Sequence, residues 1–142
     1  MMPMPKGYGD TSKTFLLSDE ELGQSVVISD PSLPDNPMIY VSEEFENQTG
    51  YSPDEALGRN CRFLQGPDTS PEALEAIRAA IRAQTSITID ILNYHKDGTR
   101  FWNRLRIRPL YDQLGNVLYL VGAQNPVPEA EKRPEPIDDI VE

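Results

Sequence analysis

The first half of the chain combines two short apolar runs with a loop of turn-forming residues. Residues 26–29 and 38–41 are rich in β-branched and aromatic side chains, which is typical of strands. The segment between them, residues 30–37, is rich in Pro, Asp and Asn, which favour turns. This pattern predicts a pair of strands joined by a long loop.

Serine residues mark the starts of four predicted helices. Ser18 is followed three residues later by Glu21, a spacing typical of a capping box, so a short helix begins there. The other starts are Ser42 for a helix over residues 43–49, Ser52 for one over residues 53–57, and Ser70 for a longer helix. In the longer helix, Leu74, Ile77 and Ile81 share one apolar face.

From Ser86 onward the spacing of apolar residues changes from about 3.6 to about 2, which predicts strands. An Asp-Gly pair at residues 97–98 and a second turn at residues 112–116 separate three of them. We expect Pro109 to end the middle strand and the last strand to span residues 117–125. The element order β-β-α-α-α-α-β-β-β predicts an α+β fold, a five-stranded antiparallel sheet with helices packed over one face.

The two ends of the chain differ from this central region. Residues 1–14 are polar and contain Pro and Gly, which predicts a flexible stretch. We therefore assign residues 1–24 to an N-terminal arm with a short cap helix, and residues 126–142 to a Pro-rich acidic tail that is a poor helix former. The single folded domain is expected to span residues 25–125.

The outward face of the predicted sheet carries both apolar and basic side chains. Its apolar patch consists of Leu92, Tyr94, Trp102, Tyr119 and Val121. The same face carries a row of arginines, Arg104, Arg106 and Arg108, which can pair with Asp90 or with acidic residues of the arm. Apolar patches of this kind are usually covered or form interfaces. We expect the helix around residues 15–22 to cover it, or two copies of the chain to pair over it as a homodimer.

Composition and charge argue against several classes of function. The formal net charge of -10 disfavours binding to nucleic acid or to an anionic membrane surface. No apolar run approaches the ~18 residues that a membrane-spanning helix needs, and the N-terminal residues do not form a signal peptide, so we expect a cytoplasmic protein. A single cysteine excludes an intrachain disulfide, and one cysteine with one histidine argues against a Cys/His metal site. No Ser/His/Asp set or catalytic carboxylate pair indicates an enzyme.

The inward face of the sheet carries one carboxamide on each of the last three strands. These residues are Asn93, Asn103 and Gln124, each among apolar neighbours. A buried carboxamide without a partner costs about 1–3 kcal/mol. The three side chains therefore either bond one another and the loop backbone, or bind a heterocycle with donors and acceptors on its edge. Gly122 leaves room for a flat ring to approach the sheet.

The only cysteine, Cys61, lies in a polar stretch at residues 58–66 that glycines bracket. It is either a surface thiol without a role or a group directed at a ligand. Arg62 and Arg78 come from two helical segments opposite the sheet, and a pair of guanidinium groups suits a phosphate. A ring, a polar edge and a phosphate together indicate a nucleotide-like cofactor.

Several of these segments together resemble the light-oxygen-voltage (LOV) family, the flavin-binding photoreceptor branch of PAS domains. The sequence Gly-Arg-Asn-Cys-Arg-Phe-Leu-Gln-Gly-Pro at residues 58–67 matches the family signature throughout. Residues 30–37 resemble the family's first loop. Residues 92–98, 101–103 and 121–124 resemble its last three strands. The resemblance covers roughly residues 25–125. The chain resembles a short LOV photoreceptor, because neither a long C-terminal helix nor an effector domain is evident in the sequence.

The resemblance implies a blue-light photoreceptor that binds FMN. Riboflavin and FAD are the alternative flavins. It implies that Cys61 bonds reversibly to flavin C4a on illumination and that Gln124 lies beside N5 and changes its hydrogen bonding. Hydrogen bonds to the flavin would come from Asn60, Gln65, Asn93 and Asn103. The phosphate would be held by Arg62 and Arg78. The pocket would be lined by Val27, Ser29, Asn36, Leu64, Ile81, Leu105, Ile107, Leu120 and Gly122.

A second interpretation keeps the PAS fold and changes the chemistry. In it the domain binds a flavin or another heterocycle as a redox or metabolite sensor, and Cys61 is inert. Under both interpretations we expect the signal to pass through the sheet to the termini or to a dimer interface. A downstream protein, which the sequence does not identify, would read that signal.

Overall fold

The computed structural model describes residues 7–137, in which five strands form one antiparallel sheet. The strands are β1 Ser25–Ser29, β2 Met38–Val41, β3 Ile87–Tyr94, β4 Arg100–Tyr111 and β5 Val117–Val127, in the spatial order β2-β1-β5-β4-β3. The helices are α1 Asp19–Leu22, α2 Glu43–Thr49, α3 Pro53–Ala56 and α4 Pro71–Ala83. Shorter 3-10 helices span Thr11–Leu16, Cys61–Leu64 and Glu129–Glu131. The predicted α+β fold is confirmed.

The helices begin at the serines that the sequence indicates. Ser18 Oγ accepts a hydrogen bond from the Glu21 N–H at 3.1 Å, and the Glu21 carboxylate accepts one from the Ser18 N–H at 2.8 Å. Ser52 and Glu55 form the same reciprocal pair at the start of α3, and Ser70 caps α4. Such caps satisfy backbone donors at the helix start and contribute ~1 kcal/mol each. They fix where each short helix begins.

Two apolar clusters hold the helices against the inner face of the sheet. Over β3, β4 and β5, helix α4 contributes Ala73 and Ile77 to a cluster with Ile87, Ile89, Ile91, Leu105, Ile107 and Leu120. Over β1 and β2, helix α2 contributes Phe45, which is fully buried with Val27, Met38, Val41, Ala56 and Leu64. Both clusters border the cavity described below.

The segment before α1 pairs with the sheet. The Val41 N–H donates to the Tyr8 carbonyl at 2.9 Å, and the Asp10 N–H donates to the Ile39 carbonyl at 2.8 Å. Residues 8–10 therefore extend the hydrogen bonding of β2. The prediction of a flexible stretch is wrong for residues 7–14, because a polar composition does not reveal backbone pairing with a distant strand. Residues 1–6 lie outside the described part of the chain.

Residues 15–22 cover the outer sheet face less fully than expected. Leu17 is buried in a cluster with Val26, Ile28, Val121 and Ala123. Phe15 is 79% exposed and Leu22 is 51% exposed, so neither contributes to this cover. Of these three side chains, only Leu17 covers the outer face, over the part that β1 and β5 form.

Two arginines on the outer face pair with buried carboxylates. Arg104 donates to both oxygens of Asp90 at 2.9 Å, and Arg108 donates to both oxygens of Glu21 at 2.9 and 2.7 Å. Burial opposes ionisation of Glu21, but hydrogen bonds from Arg108 and from the Ser18 N–H outweigh it and lower the pKa of Glu21. The predicted pairing of these arginines with Asp90 and with an acid of the arm is confirmed.

Residues 128–137, here called the C-terminal segment, lie along the free edge of β3. The Asp90 N–H donates to the Arg133 carbonyl at 3.1 Å, and the Ile137 N–H donates to the Thr88 carbonyl at 2.6 Å. The only helical structure in this segment is a short 3-10 turn, in agreement with its many prolines. The segment therefore covers an edge strand that would otherwise be open to pairing.

Two strands are longer than predicted, and each passes through a proline. β4 continues past Pro109, and β5 includes Pro126 and ends at Val127. β3 pairs with β4 only as far as Ile107, and β1 pairs with β5 only as far as Gln124. Beyond these points each strand has one free edge, where a proline without an N–H is tolerated. The prediction that Pro109 ends its strand is therefore wrong.

Candidate cofactor-binding cavity

A cavity of about 270 Å³ lies between the inner sheet face and the helices. Its size is close to the lower limit of small-molecule sites, which span roughly 300–1,000 Å³. All the residues expected to contact a flavin border it, namely Val27, Ser29, Asn36, Asn60, Cys61, Arg62, Leu64, Gln65, Arg78, Ile81, Asn93, Asn103, Leu105, Ile107, Leu120, Gly122 and Gln124. Residues from the loop after β1, the 3-10 helix at Cys61–Leu64, α4 and the four strands β1, β3, β4 and β5 thus meet at one cavity.

Three further residues border the cavity that sequence reasoning did not assign to it. They are Leu74 and Ile77 of α4 and Ile91 of β3. Leu74 and Ile77 share a helix face with Ile81, and Ile91 shares a strand face with Asn93. The periodicity of these elements was therefore a sufficient signal to include them.

Three carboxamides form a hydrogen-bonded row on the sheet side of the cavity. Asn103 Nδ2 donates to Asn93 Oδ1 at 2.8 Å and to Gln124 Oε1 at 3.2 Å. Asn103 Oδ1 accepts from the Asn125 N–H at 3.1 Å. Each of the three side chains is at most 2% exposed. The alternative in which these amides bond one another is therefore present in this structure, and their order follows from β3, β4 and β5 being adjacent strands.

Cys61 is the first residue of a 3-10 helix and borders the cavity from the side opposite the sheet. Burial raises the pKa of the Cys61 thiol, and the positive charge of Arg62 offsets this only in part. The thiol is therefore protonated at neutral pH. The arrangement presents an S–H group, not a thiolate, to whatever occupies the cavity.

Asn60 fixes the start of the turn that carries Cys61. Its Oδ1 accepts from the Arg62 N–H at 2.9 Å, and its Nδ2 donates to the Asp35 carbonyl at 2.8 Å. Asn36, the next residue of that loop, has a positive φ of 48° and a buried Oδ1 without a hydrogen-bond partner among residues 7–137. Asn60 thus joins the cysteine turn to the loop, while Asn36 leaves an acceptor free at the cavity wall.

Two glycines are required on either side of this turn. Gly58 has a φ of 84°, in the left-handed region that favours glycine. A Cβ atom at Gly66 would overlap the ring of Tyr94. The Tyr94 hydroxyl accepts from the Asp68 N–H at 2.9 Å, which holds the ring in place. The backbone after Cys61 therefore approaches β3 more closely than any other residue type would allow.

The two arginines that border the cavity are both accessible to solvent. Arg62 pairs with Asp35, and Arg78 lies 3.3 Å from Glu75. Each arginine side chain is more than half exposed. Exposed ion pairs of this kind contribute at most about 1 kcal/mol, so either arginine can exchange its carboxylate for another anion at little cost.

In the part of the chain that the structure describes, no cluster of His, Cys, Asp and Glu side chains could hold a metal ion. None of the helices described there is long and apolar enough to cross a membrane.

Known proteins with similar sequences include blue-light-activated histidine kinases and phototropins. The chain matches the PAS domain family over residues 23–125. It is 44% identical over 117 residues to a blue-light-activated histidine kinase of Brucella anthropi, which covers 82% of this chain and 24% of the kinase. It is 47% identical over 105 residues to phototropin-2 of Oryza sativa subsp. japonica, which covers 74% of this chain and 12% of phototropin-2. The chain thus spans a quarter or less of the length of these relatives.

Solved structures of LOV domains share the fold. A light-oxygen-voltage domain studied with a flavin analogue superimposes with a TM-score of 0.76 at 50% identity, covering 78% of this chain and 82% of that one. The dark structure of the blue-light photoreceptor Aureochrome1 LOV superimposes with a TM-score of 0.76 at 43% identity, covering 92% of this chain and 90% of that one.

Proposed function

The chain belongs to the light-oxygen-voltage branch of the PAS domain family, and from this we propose that it is a blue-light photoreceptor module that binds FMN. The observation that supports the proposal most is the position of Cys61. Its protonated thiol and the carboxamide of Gln124 border the same cavity from opposite sides. The cavity itself combines apolar walls with a few directed polar groups, as small-molecule sites do.

The residues around the cavity fit a flavin. Leu105, Leu120 and the apolar face of α4 suit a flat ring, and the carboxamides suit its polar edge. The unpartnered Oδ1 of Asn36 suits a hydroxyl or N–H donor. Gly122 has no side chain where it borders the cavity, so the ring could approach β5 closely.

Arg62 and Arg78 favour a flavin that carries a phosphate. Both border the cavity and both are exposed, so a phosphate could be bound there without burying its charge. A guanidinium binds phosphate oxygens through two parallel hydrogen bonds. We therefore propose FMN, rather than riboflavin, which has no phosphate, or FAD, whose additional nucleotide would extend into solvent.

When bound, the flavin would supply the absorption of blue light and, at C4a, the carbon to which the Cys61 sulfur bonds reversibly, with the thiol proton passing to N5. The part of Cys61 is to hold that proton on its sulfur in the dark, which its raised pKa ensures. Gln124 can respond because its amide both donates and accepts. β5 carries Gln124 and pairs with both β1 and β4, so a change at this amide enters the centre of the sheet.

An absorption spectrum before and after blue light tests this function. The FMN-loaded protein is expected to lose its visible flavin band on illumination and to regain it in the dark. The variant Cys61→Ala should bind FMN and keep the band under the same light. Reversible bleaching of Cys61→Ala with the same spectral change, or no bleaching of the wild type, would contradict the proposal.

One observation favours a second function. Asn103 bonds both Asn93 and Gln124, so the three carboxamides satisfy one another without requiring a particular ring. A PAS domain that senses redox state or a metabolite, with Cys61 inert, would be consistent with that. In this case the protein would bind a flavin or another heterocycle but show no light-induced change that depends on Cys61.

We propose that the light signal leaves through the outer sheet face or the termini to a partner protein. Kinase activity is not part of the proposal, because the chain spans only 24% of the Brucella kinase it resembles. Exposed Phe15 and Leu22 would suit a homodimer through the cap region. A cytoplasmic setting is also proposed, in keeping with the unpaired cysteine. Scattering mass in dark and light would separate a partner-dependent output from a dimer.

A further inference from the structure

The two arginines that border the cavity are held by carboxylates in different situations. Arg62 Nη2 lies 2.5 Å from Asp35 Oδ2. On α4, Glu75 Oε1 lies 3.3 Å from Arg78 Nη1, and Glu75 Oε2 accepts a hydrogen bond from Arg82 Nη2 at 2.8 Å. Among residues 7–137, Asp35 therefore has one arginine partner, and Glu75 has two.

Glu75 keeps a counter-charge if Arg78 turns away from it. The hydrogen bond from Arg82 is the shorter of the two, and it contributes more than the bond from Arg78 to the lowered pKa of Glu75. Arg82 is not part of the cavity lining, so a ligand in the cavity leaves that bond in place. Arg78 can therefore bind a ligand while Glu75 stays paired.

Asp35 lies just outside the cavity, on the loop after β1. Its side chain is 58% exposed and does not line the cavity, whereas Arg62 and the next loop residue, Asn36, do. The Asp35 carbonyl accepts from Asn60 Nδ2 at 2.8 Å, which joins the loop to the turn that carries Arg62. The φ of Asp35 is 67°, in the left-handed region that Asp and Asn tolerate better than most non-glycine residues. The backbone thus holds the Asp35 carboxylate beside the Arg62 guanidinium.

A phosphate bound at the cavity would compete with Asp35 for Arg62. Carboxylate and phosphate both accept parallel hydrogen bonds from a guanidinium, and one N–H group cannot serve both fully. A phosphate on Arg62 would therefore displace the Asp35 carboxylate or lie beside it, where two negative charges repel each other. Because the pair is exposed, water screens this repulsion and keeps the effect modest.

We propose that Asp35 is a specificity-determining residue that weakens the binding of a phosphate-bearing flavin by occupying Arg62, and that Glu75 has no such effect through Arg78. The inference rests on the proposed function, because it assigns both arginines to a flavin phosphate. The difference between the two carboxylates comes from Arg82, which gives Glu75 its second partner. Asp35 acts only on a ligand that carries a phosphate, so the binding of riboflavin does not depend on it.

Fluorescence titration of the flavin-free full chain in the dark tests this role. Asp35→Asn should bind FMN about fivefold more tightly than wild type and riboflavin equally well. The matched control Glu75→Gln removes the same charge beside the other arginine and should change neither affinity by more than about twofold. Asparagine tolerates the positive φ of Asp35, and the carbonyl that Asn60 bonds is unchanged, so the variant should keep its fold.

Three results of this titration would overturn the proposal. The first is unchanged FMN binding in Asp35→Asn. The second is an equal gain in riboflavin binding, because the effect would then not act through a phosphate. The third is an equal gain for FMN in Glu75→Gln, because any loss of negative charge near the cavity would then suffice.

A second measurement needs neither flavin nor light. Inorganic phosphate should raise the urea midpoint of the flavin-free chain above its value in chloride at equal ionic strength, and by more in Asp35→Asn than in Glu75→Gln. Equal shifts in the two variants would overturn the competition at Arg62. A wild-type protein that binds neither flavin, or that does not bleach, would contradict the proposed function alone, because the comparison of phosphate shifts depends on neither result.

Discussion

Replacing Asp90 by Asn removes a fully buried charge that joins β3, β4 and the C-terminal segment. The carboxylate accepts two hydrogen bonds from Arg104 at 2.9 Å and one from the Arg133 N–H at 2.6 Å. In the variant Asp90→Asn the NH₂ group faces these donors, so at least one of the bonds is lost. The Arg104 guanidinium also loses its counter-charge.

The cost of this change can be estimated from burial. Breaking a fully buried ion pair costs about 3–5 kcal/mol, but the Arg104 side chain is 34% exposed, so water can replace part of the lost interaction. We therefore expect a loss of roughly 2–3 kcal/mol. For a chain of 142 residues this corresponds to a fall in Tm of about 5–10 °C.

Urea and thermal unfolding would measure the loss, with Glu75→Gln as the control. Glu75 pairs with Arg78 and Arg82 on the surface, where its side chain is 58% exposed, so its loss should cost less than about 1 kcal/mol. Amide hydrogen exchange at Asp90 and Ile137, which bond across the β3 edge, should also accelerate in Asp90→Asn. A variant within about 0.5 kcal/mol of wild type, or unchanged exchange at both amides, would refute this reasoning.

Three further changes have distinct expected outcomes. Gly66→Ala should destabilise the protein by more than 1 kcal/mol in urea unfolding, because a Cβ there overlaps a tyrosine ring. Glu21 has a lowered pKa, so its pair with Arg108 stabilises the fold fully above the ordinary value of 4.5 and loses this effect as pH falls. The difference in unfolding free energy between wild type and Glu21→Gln should shrink as the pH falls below 4.5. A difference that stays constant with pH would contradict this prediction. Arg62→Gln with Arg78→Gln should weaken binding of FMN about tenfold or more but leave riboflavin binding unchanged in fluorescence titrations.

Local sequence patterns predicted the carboxamides, Gly122, Cys61 and the two arginines at the cavity, whereas most of the other lining residues were implied by the family resemblance. Asn93, Asn103 and Gln124 each lie on the apolar face of an alternating strand, and the antiparallel order of β3, β4 and β5 brings those faces together. The serine caps were equally informative, because each depends only on residues within one helical turn. Strand parity and capping are local properties, so a single sequence suffices to read them.

Contacts between distant segments were not predictable in this way. Asn60 borders the cavity as expected, but the hydrogen bonds of its amide to the Arg62 N–H and to the carbonyl of Asp35, 25 positions away, did not follow from the sequence. The pairing of residues 8–10 with β2 leaves no trace in composition. Pro109 signals the end of a strand only if both strand edges are paired, which depends on where β3 begins. In each case the deciding partner lies far away in the sequence.

The infrared band of the S–H group tests the central claim most directly. The chain has one cysteine, so an S–H stretching band can only come from Cys61, and its raised pKa keeps that proton on sulfur in the dark. In the FMN-loaded protein the band should be present in the dark, disappear under blue light and return as the visible flavin band recovers. An S–H band that persists while the flavin bleaches would contradict the account.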